Sequence, residues 1–406
     1  MSRRLSRRAL PLCVLLTGVL TGGFLRATSA AHAHVDPARP HAADRSPSAL
    51  LQQSATARLK ADASLSDVAG LSPNDIWAVG QEDVWEAWQN RSVITHWDGS
   101  AWTEVGIRND ASGAGHLRSV AAPSPREIWA VGDGHDGLPY VVRGDGSAFD
   151  RVSVPQFGST DWVGGVTAVP GRAVVVGSRG KHPLIATATS AGWTVSEGEE
   201  NGTLYGVALT RKGDQGWAVG DDGTRPVIMR FDGDTWDPMP VPSIDGGFLR
   251  DVAVDGPKKA VAVGGVYRDG EEVAPLVLTW NGKRWSRADL PVRHAELYGV
   301  AGDGKGRFWA SGYDPDHAGQ AFLLRGTGSS NGSAWRVVRG RPAAAPRTMR
   351  LQAVTHVGDL TLAVGHVVDA GERYTDAVER FRPDTTKGGS SDGAGTPRPQ
   401  TSPVQR

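Results

Sequence analysis

The chain has 406 residues, with 44 Lys and Arg matched by 44 Asp and Glu, 53 Gly, 25 Pro, 14 Trp and one cysteine. A zero net charge argues against a general binder of nucleic acid or of an anionic membrane surface. The lone Cys13 excludes disulfides and thiolate metal sites, and the abundance of Gly and Pro points to short strands joined by many turns rather than to helices.

Residues 1–33 read as a secretion signal. Arg3, Arg4, Arg7 and Arg8 give a basic start, Leu10 to Leu25 an apolar run, and Thr28-Ser29-Ala30 or Ala31-His32-Ala33 a small-x-small cleavage site. Ser6-Arg7-Arg8-Ala9-Leu10 loosely resembles a twin-arginine signal; general secretion is the expected route. The apolar run is too short and too interrupted by Gly and Thr to serve as a membrane anchor. Five arginines and no acid lie in this leader, so the chain that follows it carries −5 and retains no cysteine. Residues 34–49, rich in Pro, Ala, His and Arg, read as a disordered linker.

From about 50 to 382 the chain repeats. Asp75-Ile76-Trp77-Ala78-Val79-Gly80 returns as Glu127-Ile128-Trp129-Ala130-Val131-Gly132 and Gly216-Trp217-Ala218-Val219-Gly220, with weaker copies ending at Gly177, Gly264, Gly312 and Gly365. Each is an apolar strand running into a turn. A second marker, Leu-x-x-Val, opens each unit, and its Val positions (Val68, Val120, Val166, Val207, Val252, Val300, Val354) are separated by 52, 46, 41, 45, 48 and 54 residues. Such periods suit four-stranded propeller blades. A third marker, His96-Trp97-Asp98-Gly99-Ser100-Ala101-Trp102 and its copies at Phe231–Trp236 and Trp280–Trp285, places a tight Asp-Gly or Asn-Gly turn between the third and outer strands, with the positive backbone angles such pairs adopt.

The seventh unit stops at its third strand, Ala377–Phe381. The run Leu50–Leu59 has no other partner and is expected to supply the missing outer strand, closing the ring and removing an open edge. The expected fold is therefore all-β: a seven-bladed propeller of antiparallel four-stranded blades closed by the N-terminal strand. Residues 383–406, rich in Pro, Ser, Thr and Gly, read as a disordered tail.

The combination Asp-x-Trp-Ala-Val-Gly with His-Trp-Asp-Gly-x-x-Trp resembles the secreted seven-bladed propellers of actinobacteria, loosely grouped with kelch and galactose-oxidase-like central domains. The resemblance spans about 50–382. The double glycine of kelch repeats is not a repeated feature of the second strand. Copper galactose oxidase chemistry needs a Tyr crosslinked to Cys and does not carry over to a chain without cysteine beyond its leader.

Eleven of the 14 Trp occupy repeat positions and are expected to pack blade against blade. Trp85, Trp88 and Trp162 do not. Up-down blades send their second-to-third-strand loops and their blade-to-blade connections out on one face. Trp85 and Trp88, in such a loop, and Trp162, before the third inner strand, should share that face with Tyr313 and the other tyrosines. Asp67, Arg118, Tyr205, Arg250, Asp251, Tyr298 and Gln352 are expected to ring the channel mouth there. Arg118 and Arg250 offer bidentate forks to a polar or anionic group. Loops held by a rigid scaffold are where binding resides.

No phosphate loop, His-Glu-x-x-His, EF-hand or Gly-x-Ser-x-Gly pattern occurs, so no cofactor is implied. His135-Asp136 and Asp314-x-Asp316-His317 have metal-ligand chemistry but are also ordinary turn residues. The expectation is a secreted monomer binding an extracellular glycan through stacked aromatics, or a protein partner, on the loop-rich face. The alternative is a lyase or hydrolase using Asp, His, Tyr and Arg at the top of the channel; Asp67 and Asp251, in equivalent places across the ring, are a carboxylate pair of the kind glycosidic acid–base work uses.

Overall fold

The computed structural model describes residues 51–53, 57, 59, 60, 62–86, 89–110, 113–268, 272–329 and 334–381. The leader 1–33, the linker 34–49, Trp88 and the tail 383–406 lie outside the described residues.

Seven antiparallel sheets follow one another along the chain. Blade 1 is built of Ser64–Ser72, Asp75–Glu82, Arg91–Trp97 and Trp102–Glu104, in that order from the inner to the outer strand. The inner strands of the other blades are Ala114–Ser124, Asp161–Val169, Thr203–Leu209, Gly247–Val254, Glu296–Gly302 and Arg347–Val357. Each inner strand touches the next, and the seventh touches the first, so the ring is closed. The seventh blade takes its outer strand from the N-terminal side: Leu51–Gln53 pairs antiparallel with Phe381–Glu379. Blade 2 departs from the expected four strands. Ile107–Arg108, in the connection from blade 1, adds a short fifth strand parallel to Phe149–Arg151.

The core lies between blades. Trp77 meets Phe149 of the next blade at 5.6 Å, Trp129 meets Trp193 at 6.0 Å, and Trp217 meets Trp280 and Trp285 at 4.8 and 5.0 Å. A large ring on the second strand thus fills the wedge between two twisted sheets. The acid two residues before the Trp anchors the indole: Asp75 and Glu127 accept the ring N–H of Trp77 and Trp129, each at 3.1 Å. In blade 6 that position is Arg307, and the buried Nε1 of Trp309 has no hydrogen-bond partner among the described residues.

The Asp-Gly turns differ from the expectation in one respect. Only the glycine takes a positive φ, for example 97° at Gly99 and 116° at Gly233. The Asp instead folds its side chain over the turn: Asp98 Oδ1 accepts from the backbone N–H of Ser100 and Ala101, and Asp145 does the same for Ser147 and Ala148.

Candidate functional site

Every inner strand carries a β-bulge at the same place, after Leu65, Leu117, Val163, Leu204, Leu249, Leu297 and Leu351. The extra residue faces no partner on the second strand, and such residues are re-aimed. The bulge also explains the terminal Gly of the repeated motif. A Cβ on Gly80 would lie 2.0 Å from the Ser64 carbonyl oxygen, and on Gly220 1.8 Å from that of Thr203; the other five copies meet their own inner strands as closely.

Two rings of side chains follow, one from each side of the repeated Leu or Val. The residue before it is Ser64, His116, Trp162, Thr203, Phe248, Glu296 or Arg350. The residue after it is Ser66, Arg118, Gly164, Tyr205, Arg250, Tyr298 or Gln352. These lie near the start of the inner strands, on the face where the blade-to-blade connections arrive. Trp162 is thus part of its inner strand, not of the connection before it.

Four of the expected residues form one arc. The Arg118 guanidinium pairs with Asp133 at 2.6 Å and lies 5.2 Å over Trp162. Trp162 meets Tyr205 edge-on at 5.6 Å, and Arg250 lies 4.6 Å over the Tyr205 ring and 4.6 Å over Phe248. Phe248 continues the arc to Tyr267, 4.8 Å away and 58% exposed. A second cluster holds Tyr298, which donates to Glu296 at 2.8 Å and accepts from Arg350 at 2.7 Å, while Arg350 lies 4.4 Å over Tyr313. Burial, then the Glu296 charge, pushes the Tyr298 phenol well above its ordinary range, so it stays protonated. Trp85, 57% exposed, stands edge-on to Tyr374 at 5.3 Å.

Several ring faces expected to be free are covered. Arg118 and Gly164 flank Trp162, whose ring atoms would lie 2.6 Å from a Cβ at Gly164, and guanidinium groups cover Tyr205 and Tyr313. The exposed aromatic platforms among the described residues are Trp85 and Tyr267.

Asp67 and Asp251 sit one residue past the bulge and are not part of either ring. Each reaches sideways to the next blade: Asp67 Oδ2 accepts from Ser119 Oγ and Val120 N, both at 2.8 Å, and Asp251 Oδ2 accepts from Val300 N at 2.8 Å. Their other oxygens accept from the following amides, Val68 and Val252, at 2.7 Å. Ser119, at the same position in blade 2, accepts from Val166 N at 3.1 Å. In blades 3, 4 and 6 the position is Gly, where a Cβ would come within 2.5 to 2.7 Å of the next blade's backbone. The position therefore joins inner strands, by a side-chain bridge or by direct approach. Burial raises the Asp67 carboxyl to about 6; burial and then the Asp67 charge raise Asp251 to about 8. The carboxylate pair is used as inter-blade bridges, with both oxygens of each occupied.

The other titratable candidates go separate ways. His135 bonds Asn90 at 3.2 Å and Asp136 pairs with Arg151 at 2.7 Å. Asp314 pairs with Arg339 and His317. Ser66 Oγ lies 2.7 Å from His116 Nε2, the spacing of a nucleophile and its base. Burial, then the Arg118 charge, lowers that imidazole to about 3, which makes it a poor general base near neutral pH.

Phe248, Glu296 and Arg350 join the mouth residues without having been expected. All three immediately precede the repeated Leu, and that shared position across the units is the signal that marks them. Elsewhere, a groove of about 550 Å³ runs between the outer parts of blades 3 and 4 and includes none of the mouth residues.

No family model matches the chain, and no curated protein matches its sequence. Solved structures do resemble it in fold. YCF48 bound to D1 peptide is 16% identical, with a TM-score of 0.53 over 84% of this chain and 96% of that one. The WD40 propeller domain of Doa1 is 14% identical, with a TM-score of 0.55 over 83% and 98%. Hydrazine synthase of Kuenenia stuttgartiensis is 13% identical, with a TM-score of 0.53 over 77% and 94%. At these identities the likeness is one of fold alone, that of a β-propeller.

Proposed function

We propose that this protein is exported and acts outside the cell as a monomeric binding propeller, its loop-rich face taking a glycan, with cell-wall carbohydrate the favoured class. In this reading it is one of the secreted actinobacterial propellers its repeats resemble. The observation that carries the proposal is the pair of exposed rings, Trp85 and Tyr267, beside a channel mouth lined by arginines and hydroxyls. Exposed rings stack on the faces of sugars, and guanidinium, carboxylate and phenol groups take their hydroxyls. A protein partner is the second reading, favoured by the similarity to a propeller solved with a peptide. The weak base at His116 and the occupied oxygens of Asp67 and Asp251 speak for binding rather than hydrolysis.

A glycan array probed with the chain from residue 34 onward tests the proposal. Binding is expected, and Trp85→Ala and Tyr267→Ala should each weaken it roughly tenfold or more, a loss typical of an anchoring aromatic. An array on which nothing binds, or binding untouched by both substitutions, removes the glycan and leaves the protein partner.

A further inference from the structure

The three arginines of the mouth are not equivalent. Arg118 is paired with Asp133 and Arg350 lies beside Glu296. Arg250 has no ion-pair partner among the described residues. The nearest acid to influence it is Asp221, whose Oδ1 accepts from Gly223 N at 3.0 Å. The Tyr205 and Phe248 rings each lie 4.6 Å from the Arg250 guanidinium, which also donates a hydrogen bond to the Tyr205 hydroxyl. A guanidinium has five N–H donors, and those left over match a carboxylate in two parallel hydrogen bonds. On Phe248 rests a second group, the exposed ring of Tyr267. The Arg250 guanidinium and the open ring of Tyr267 therefore both stand against Phe248.

Resting on the glycan reading above and narrowing it, we infer that this site takes an acidic sugar: a uronic acid whose ring stacks on Tyr267 and whose carboxylate is forked by Arg250. Tyr205 braces the guanidinium with its ring and its hydroxyl. Its phenol is kept protonated, because burial and then the Asp221 charge raise it above its ordinary range. The site therefore presents hydrogen-bond donors to the incoming carboxylate, and Asp221 is the acid whose charge reaches both Tyr205 and Arg250.

Calorimetric titration with oligogalacturonate and oligoglucuronate, beside the same oligomers with their carboxylates reduced to alcohols, tests the assignment. An acidic oligomer is expected to bind at least about tenfold tighter than its reduced form, the effect of a bidentate charge-assisted contact. Arg250→Gln should bring the two forms to the same affinity. Arg250→Lys, which keeps the charge and disturbs packing least, should lose most of the preference, because an ammonium lacks the planar fork. Tyr267→Ala should weaken both forms alike. Equal binding of acidic and reduced oligomers overturns the inference while leaving glycan binding in place, as does an acid preference that survives Arg250→Gln. If neither oligomer binds while other glycans on the array do, the uronate assignment falls alone. If no glycan binds at all, both fall together.

Discussion

At the scale of single residues, the repeated motif is explained by two contacts. The Trp fills the wedge between blades, and the Gly yields to the bulged inner strand. Gly220→Ala forces a methyl onto the Thr203 carbonyl, and only a shift of the bulge relieves it. A loss of about 3 kcal/mol is expected in urea unfolding, the upper part of the usual range for overpacking; an unchanged midpoint would contradict the close approach. Asp251 makes a second prediction. Its carboxyl, raised to about 8, holds a proton that the unfolded chain, near 3.8, has already released. That proton stabilises the fold in acid, and the contribution is lost as pH rises through the folded value. Asp67, at about 6, acts in the same sense at lower pH. The buried His116 and His366, lowered to about 3 and about 4 from 6.5, act oppositely but fall silent above about pH 7. Between about pH 7 and 9 the unfolding free energy should therefore fall, and Asp251→Asn should flatten that decline. Identical pH slopes for the two proteins would refute the assignment.

At the scale of elements, ring closure rests on a short strand and a set of hooks. Besides the pairing of Leu51–Gln53 with Phe381–Glu379, Ala57 N donates to Asp376 Oδ2 at 2.7 Å and Lys60 N to Glu82 Oε1 at 2.8 Å. Asp62 and Tyr374 exchange two bonds, 2.9 Å from Asp62 N to the Tyr374 carbonyl and 3.0 Å from Tyr374 N to Asp62 Oδ1. Beginning the chain at residue 63 removes all of these and bares the edge of blade 7. At about 1 kcal/mol per net hydrogen bond, the loss should be on the order of 5 kcal/mol. A melting temperature unchanged by the truncation, with no new proteolytic cleavage in blade 7, would show that the ring does not depend on this clasp. The strand's role was readable before its geometry was known, because a repeat that ends one strand short needs a partner from elsewhere. The fifth strand of blade 2 was not: Ile107–Arg108 has no pattern beyond two residues, and it pairs only because the connection passes the edge of Phe149–Arg151.

At the scale of the whole molecule, seven similar sheets are packed so that each inner strand leans on the next. The bridging position past each bulge, Asp67, Ser119 and Asp251 by side chain and Gly165, Gly206 and Gly299 by close approach, is where that ring is drawn together. The architecture was legible because repetition multiplies a weak strand signal by seven and because spacing alone distinguishes blades from shorter repeats. The arc of Arg118, Trp162, Tyr205 and Arg250 was legible as a set of positions, since equal places in equal units must meet around one axis. Its internal arrangement was not. Arg250 and Asp251, neighbours in sequence, were both expected at the mouth, whereas Asp67 and Asp251, one residue past the bulge, turn toward the neighbouring blade. The sequence by itself thus determined the number of blades and the closure of the ring, because these depend on the period of the repeat and on a last unit left one strand short. Only the tertiary structure decided which rings stay open, which arginine lacks an acid and which carboxylates are spent on holding the ring, because these depend on contacts between blades that no single repeat contains.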